Sequence, residues 1–102
     1  MHTHIAVRRR AWVSKYISQS RIGLKRSERL VASGLGLFAA QDGTVSITHD
    51  DLAEERSALG LSAEEYQEAL DTLARRGWIT PPCWSLGGVM FALACPADGG
   101  GQ

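Results

Sequence analysis

Sulfur, proline and aromatic side chains are scarce in this sequence of 102 residues. It has two cysteines, three prolines, three tryptophans, two tyrosines and two phenylalanines. Because Cys83 and Cys95 are too few for a disulfide framework, we expect both to be reduced thiols. The first residues lack the basic start and apolar run of a signal peptide, and we therefore expect a cytoplasmic location.

A continuous apolar run long enough for a membrane is also missing. The uncharged stretch at residues 78–95 is shorter than the roughly 20 apolar residues that a spanning helix needs. It is interrupted by Pro81, Pro82, Gly87 and Gly88. The stretch therefore predicts strands, and we expect no contact with a membrane.

The signatures of catalysis are lacking as well. A chain of this length supports one modest core and leaves little room for a deep cleft. No serine or cysteine motif accompanies a histidine, and no glycine-rich phosphate loop precedes a lysine. The histidines lack the spacing of metal ligands; they are His2, His4 and His49. We expect no enzyme, cofactor, metal site or small-molecule substrate.

The net charge is zero, but the charges are strongly segregated along the chain. Before residue 30 the only acid is Glu28, whereas eight of the 11 basic residues lie there: Arg8, Arg9, Arg10, Lys15, Arg21, Lys25, Arg26 and Arg29. The remaining sequence has three basic residues and ten acids. A protein polarised in this way can hold a phosphate backbone on one face.

The N-terminal half predicts two helices after a short strand at residues 5–7. Apolar residues recur with helical spacing from Trp12 to Ile17, and a second helix is predicted from Lys25 to about Ala40. Gly34 and Gly36 disfavour a helix interior, so their presence there indicates that a neighbouring element packs closely.

The rest of the chain predicts a strand, two helices and a hairpin. Residues 44–48 alternate as in a half-buried strand, and Thr48 then caps a helix that ends at Gly60. Leu52, Ala53 and Leu59 are expected to face inward. A capping box at Ser62 and Glu65 starts the helix at residues 62–76. Strands at residues 83–86 and 89–95 flank a two-glycine turn, which predicts a β-hairpin.

This order of elements resembles that of a winged helix-turn-helix domain. The resemblance rests on apolar and turn residues: Leu52-Ala53, Gly60-Leu61-Ser62, Tyr66, Ala69-Leu70, Leu73 and Gly77-Trp78-Ile79. Arg29-Leu30-Val31 is similar to the helix before the strand in bacterial, phage and plasmid regulators and replication initiators. The implied fold is α+β and mainly helical, with three to four helices, a short strand and a hairpin wing over residues 5–95. Residues 1–4 and 96–102 are expected to be flexible ends.

The resemblance implies that the helix from Ser62 enters the major groove of DNA, with Gln67 as the best base-reading residue. Three features depart from the family pattern. The outward face carries Glu64, Glu68 and Asp71, the wing tip has no charge, and Leu52-Ala53 lies about three residues farther from Gly60 than usual.

Our leading hypothesis is a non-enzymatic winged-helix protein that binds double-stranded DNA, as a transcription regulator or an accessory of replication or of a mobile element. The expected contacts are Arg8, Arg9, Arg10, Lys15, Arg21, Lys25, Arg26, Arg29 and Gln67. The alternative is a protein-interaction module that uses the acidic helix 62–76 and the apolar hairpin 78–95. Its contacts would be Glu64, Glu68, Asp71, Trp84, Met90 and Phe91, and a homodimer is compatible with both hypotheses.

Overall fold

The computed structural model describes residues 7–19 and 24–96, and for residues 17–19 it describes the backbone alone. Arg21 and most of the predicted flexible ends, residues 1–4 and 97–102, lie outside these ranges. Within them the fold is α+β, with four helices and one three-stranded antiparallel sheet.

The helices are α1 (Arg9–Gln19), α2 (Arg26–Phe38), α3 (His49–Leu59) and α4 (Ala63–Arg75). The strands are β1 (Thr44–Thr48), β2 (Cys83–Ser85) and β3 (Gly88–Ala92). In the sheet, β3 lies between β1 and β2. The register pairs Val45 with Phe91, and Trp84 with Val89. The hairpin strand β3 thus joins the C-terminal segment to the middle of the chain.

Local signals set the ends of α3 and α4. The Thr48 hydroxyl accepts a hydrogen bond from the amide of Asp51 at 3.1 Å, which starts α3. Gly60 ends it in the left-handed conformation, with φ of 73°. Ser62 and Glu65 then form the predicted capping box, at 3.1 and 2.8 Å. Only three residues separate the two helices, as in a helix-turn-helix unit.

The core lies between the sheet and the inner faces of the helices. The largest fully buried side chains are Trp12, Tyr66, Leu35, Ile47, Leu70, Leu73, Ile79, Leu93, Val31, Val45 and Val89. They come from α1, α2, β1, α4 and β3, and from Ile79 and Leu93 beside the hairpin. One continuous core therefore holds the described elements together.

Helix α1 is fixed to the rest of the core by three aromatic side chains. Trp12 stacks on Tyr16 with ring centroids 5.4 Å apart, and both rings meet Trp78 edge-on. The Trp12 indole N–H donates a hydrogen bond to the Trp78 carbonyl at 2.8 Å. Because both partners are buried, this contact fixes where the N-terminal end of α1 lies.

The two glycines of α2 do pack against neighbouring elements, as the sequence predicts. A Cβ atom added at Gly34 would collide with the Glu55 carboxylate on α3. At Gly36 it would lie 3.3 Å from the Val13 side chain on α1. Gly34 and Gly36 therefore let α3 and α1 approach the backbone of α2 closely.

Several predicted boundaries need correction. Ile5 and Ala6 lie outside the described residues, and Val7 belongs to no strand, although its amide donates to the Leu93 carbonyl at 3.0 Å. Helix α2 ends at Phe38, before Ala40. The hairpin strands are also shorter than predicted, ending at Ser85 and Ala92. Each predicted end relied on composition, whereas hydrogen bonding decides where an element stops.

Two other predictions concern exposure. Leu52 is buried and Leu59 half-buried, but Ala53 faces solvent, because it lies off the side of α3 that packs on the core. Pro96, the first residue of the predicted C-terminal end, is half-buried. Among the helices of the described ranges, none has the length and apolar character needed to cross a lipid bilayer.

Candidate functional site

Three consecutive arginines line an open cleft where α1 begins. Arg8, Arg9, Arg10 and Gln41 surround about 490 Å³ of space. The Arg9 amide donates to the Gln41 carbonyl at 3.1 Å, and its guanidinium Nη1 donates to the Ala39 carbonyl at 3.3 Å. These bonds hold the start of α1 against the loop between α2 and β1. We call this site the arginine cleft.

The backbone adds positive character to the arginine cleft. Trp12 donates its amide to the Arg8 carbonyl at 2.9 Å, so α1 starts its hydrogen bonding there. No acid lies in the first turn of α1. The first amides of a helix have no intrahelical partner and carry the positive end of its dipole. An anion in the cleft would meet the positive end of the α1 dipole together with the exposed guanidinium groups of Arg8 and Arg10.

The acid nearest to the arginine cleft along the chain has other partners. The Asp42 carboxylate accepts hydrogen bonds from the amide and the hydroxyl of Thr44, at 3.0 and 2.8 Å. These hydrogen bonds lower the pKa of Asp42, so it stays ionised. Among the described residues, no acid forms an ion pair with Arg8, Arg9 or Arg10. The cations of the cleft are therefore not neutralised by a direct contact.

The other predicted cations lie elsewhere. Lys25 and Arg26 are exposed at the start of α2, whereas Arg9 contacts the carbonyl just after its end. Since α2 has 13 residues, the two groups are about 20 Å apart. Arg29 uses one guanidinium nitrogen to donate to the Leu24 carbonyl at 3.0 Å. Lys15 is half-exposed on α1.

The basic group at the start of α2 has acidic neighbours. Lys25 lines a polar cleft of about 240 Å³ together with Glu65 and Glu68 of α4. The basic residues of the first third are therefore divided between two places. One is the arginine cleft, which has no acid in its lining although the ionised Asp42 follows Gln41, and the other lies beside the acids of α4.

Helix α4 presents its acids to solvent, as predicted. Glu64, Glu68 and Asp71 are exposed and share one side of the helix, because they recur at intervals of four and three residues. Gln67 is also exposed and lies on the same side of the helix, three residues after Glu64 and four before Asp71, at the edge that faces the β-hairpin. The base-reading candidate therefore has acidic neighbours on its own helix.

The predicted apolar patch of the hairpin does not exist as one surface. Phe91 is only 7% exposed and belongs to the core, which corrects its assignment as a contact residue. Trp84 and Met90 are 41% and 59% exposed. Met90 pairs with Cys83, the residue before Trp84, so Met90 and Trp84 point to opposite faces of the hairpin. The alternation of side chains along each strand thus places these residues, which are close in sequence, on opposite faces of the hairpin.

A second site was missed by sequence reasoning. His49, Leu52 and Arg56 of α3, Ala63, Tyr66 and Gln67 of α4, and Trp84 of β2 line a groove of about 290 Å³. We call it the hairpin groove. The only available signal was the spacing of His49, Leu52 and Arg56 within α3. These residues are three, four and seven positions apart, which places their side chains on one helix face. Nothing in the sequence brings them to Trp84.

The interior also holds two coupled ionisable groups. The Tyr66 hydroxyl is buried, and no protein group described here forms a hydrogen bond with it. Burial and the nearby Glu55 carboxylate both raise the pKa of Tyr66 far above its usual range. Burial also raises the pKa of Glu55, whose carboxylate lies against Gly34. This cluster carries a cost in stability that sequence reasoning did not anticipate.

Within the described ranges, no three or more histidine, cysteine, aspartate or glutamate side chains are grouped to hold a metal ion. Comparison of the chain with family profiles, curated proteins and solved structures gave no match.

Proposed function

We propose that this chain is a non-enzymatic winged helix-turn-helix protein that binds double-stranded DNA through the arginine cleft. The order α2, β1, α3, α4 and hairpin supports the assignment, since it is the order that the sequence resemblance implies. The short turn between α3 and α4 supports it too. In this proposal the hairpin of β2 and β3 is the wing.

The observation that carries the proposal is the arginine cleft. It combines exposed guanidinium groups, the N-terminal amides of α1 and no ion pair with a described acid. Guanidinium groups donate paired hydrogen bonds to phosphate, and helix N-termini favour anions. Such contacts supply most of the non-specific affinity of proteins for DNA.

In this proposal helix α4 does not enter the major groove in the usual way. Glu64, Glu68 and Asp71 would face the phosphates that border the groove, and repulsion there opposes binding. Gln67 remains the base-reading candidate, with Glu64 and Asp71 beside it on the same helix face. The protein would then contact mainly the sugar-phosphate backbone of the DNA, and its specificity for a DNA sequence would be low.

A titration of a fluorescently labelled blunt duplex, followed by anisotropy at low salt, tests the proposal. We expect saturable binding whose affinity falls as salt rises, because phosphate contacts release counterions. Absence of binding to any duplex at low salt would remove the proposal.

A second candidate is a module that binds a basic protein through the acidic ridge of α4. It is favoured by the exposure of Glu64, Glu68 and Asp71 on one helix side. Replacing Glu64 and Glu68 by lysine separates the two candidates. Loss of a protein complex with unchanged or improved DNA binding would favour the interaction module.

A further inference from the structure

The hairpin groove has a lining suited to one planar, negatively charged group. Its floor includes the buried side chains of Leu52 and Tyr66, and its wall at the hairpin is the Trp84 indole, which is 41% exposed. An exposed tryptophan over an apolar floor is the arrangement on which nucleic-acid bases stack. The volume of about 290 Å³ is just below the range of drug-sized ligand pockets, so the groove has room for one small group.

The hairpin groove contains one cationic donor and two other polar side chains. Arg56 forms no ion pair or side-chain hydrogen bond with another described residue, so all five of its N–H groups are available. His49 has Nε2 3.0 Å from the Ser85 carbonyl oxygen, which orients its ring toward the hairpin. Gln67 adds an amide that can both donate and accept. Arg56 and Gln67 together match a phosphate beside the edge of a base.

Acids lie near the hairpin groove without lining it, and Glu55 is close enough to Tyr66 to raise the pKa of its hydroxyl. On α3, His49, Leu52 and Arg56 share the lining face, whereas Glu55 packs against Gly34 of α2 on another side. On α4 the acidic ridge lies beside the lining residues but does not belong to them. None of the groove's lining residues is an acid, although α3 and α4 are acidic helices.

The same acids limit what can enter. A duplex lying along α4 would bring many phosphates against Glu64, Glu68 and Asp71. The last nucleotide of a strand places one phosphate in the groove, where Arg56 lies. Adenine is favoured among the bases, because a glutamine side chain can pair with its N6 and N7 atoms.

We propose that the hairpin groove binds an unpaired nucleotide at the end of a DNA strand, with the base on Trp84, its edge at Gln67 and its phosphate at Arg56. This inference rests on the proposed DNA-binding function but uses a different site. The arginine cleft would hold the adjoining duplex, and the groove would make the protein prefer a duplex that ends in an overhang.

The test compares a blunt duplex with the same duplex carrying an overhang of four deoxyadenosines, by anisotropy at fixed salt. We expect the full chain to bind the overhang duplex more tightly. Trp84→Ala should lower the affinity for the overhang duplex by about 5- to 150-fold and leave the affinity for the blunt duplex unchanged, since stacking of one base contributes that much. Trp84→Phe keeps an aromatic surface and should retain most of the preference.

Met90→Ala is the matched control, because Met90 is an exposed apolar residue on the opposite face of the same hairpin. Arg56→Gln should reduce the salt dependence of binding to single-stranded oligo-deoxyadenosine by a slope of about 0.7, the value for one phosphate contact. Circular dichroism of each variant establishes that the fold is intact.

Equal binding of the two duplexes by the wild type would overturn the proposal, and so would equal losses for Trp84→Ala and Met90→Ala. Saturation by free dAMP at micromolar concentration would overturn the assignment to a strand end. The two proposals fail separately: overhang binding without blunt-duplex binding contradicts the arginine cleft, whereas blunt-duplex binding without the preference contradicts the hairpin groove.

Discussion

Replacing Arg8 and Arg10 by glutamine tests the arginine cleft most directly. Both side chains are exposed, and neither forms an ion pair or a side-chain hydrogen bond with another described residue. The change removes two positive charges while keeping long polar side chains. Arg9 is left in place, because its amide and guanidinium connect α1 to Gln41 and Ala39. The variant should therefore fold as the wild type does.

The expected effect follows from counterion release. Each phosphate contact contributes about 0.9 to the slope of log affinity against log salt, so the loss of two contacts should reduce the slope by about 1.8. Between about 50 and 200 mM salt, the wild type should then lose about 12-fold more affinity than the variant loses. At low salt the variant should bind duplex DNA more weakly than the wild type.

The assay is anisotropy with a labelled blunt duplex at several salt concentrations. The matched control replaces Lys25 and Arg26 by glutamine, which removes the same charge at exposed positions about 20 Å away, beside Glu65 and Glu68. If the cleft holds the phosphates, the control should keep most of the wild-type slope.

Equal slopes for the wild type and the Arg8 and Arg10 variant would refute this reasoning. Equal losses in the two double variants would also refute it, because they would mean that net charge alone governs binding. A larger loss in the Lys25 and Arg26 control would place the DNA at the start of α2.

Three further predictions concern stability, measured by urea unfolding. Tyr66→Phe should stabilise the protein by about 1–3 kcal/mol, since it removes a buried hydroxyl without a hydrogen-bond partner. Because the pKa of Glu55 is raised in the folded state, its carboxyl adds stability that is fully present below the unfolded pKa and is lost as pH rises through the folded pKa. Glu55→Gln should therefore flatten the fall in unfolding free energy between acidic and neutral pH. An unchanged dependence of stability on pH would contradict this. Gly88→Ala should destabilise the protein by about 1–3 kcal/mol or more, because Gly88 has a φ of 148° and its added Cβ would collide with the Ile47 carbonyl. Gly34→Ala, by contrast, meets only the flexible Glu55 side chain and should be neutral or stabilising.

Much of the secondary structure was predictable because its signals are local. The strand at residues 44–48 follows from alternation, and the ends of α3 and α4 follow from capping residues that act within one turn. The close packing at Gly34 and Gly36 was predictable for the same reason, since a glycine in a helix interior needs an explanation. Exposure of Glu64, Glu68 and Asp71 followed from helical periodicity.

The sequence by itself thus determined the elements, their order and the segregation of charge along the chain. Only the tertiary structure decided how those charges and side chains are grouped in space. It divided the basic residues between two ends of α2, buried Phe91, and brought Trp84 to Gln67 and Arg56. The physical reason is range: caps and periodicity act over a few residues, whereas a cleft or groove depends on the packing of elements far apart in the chain.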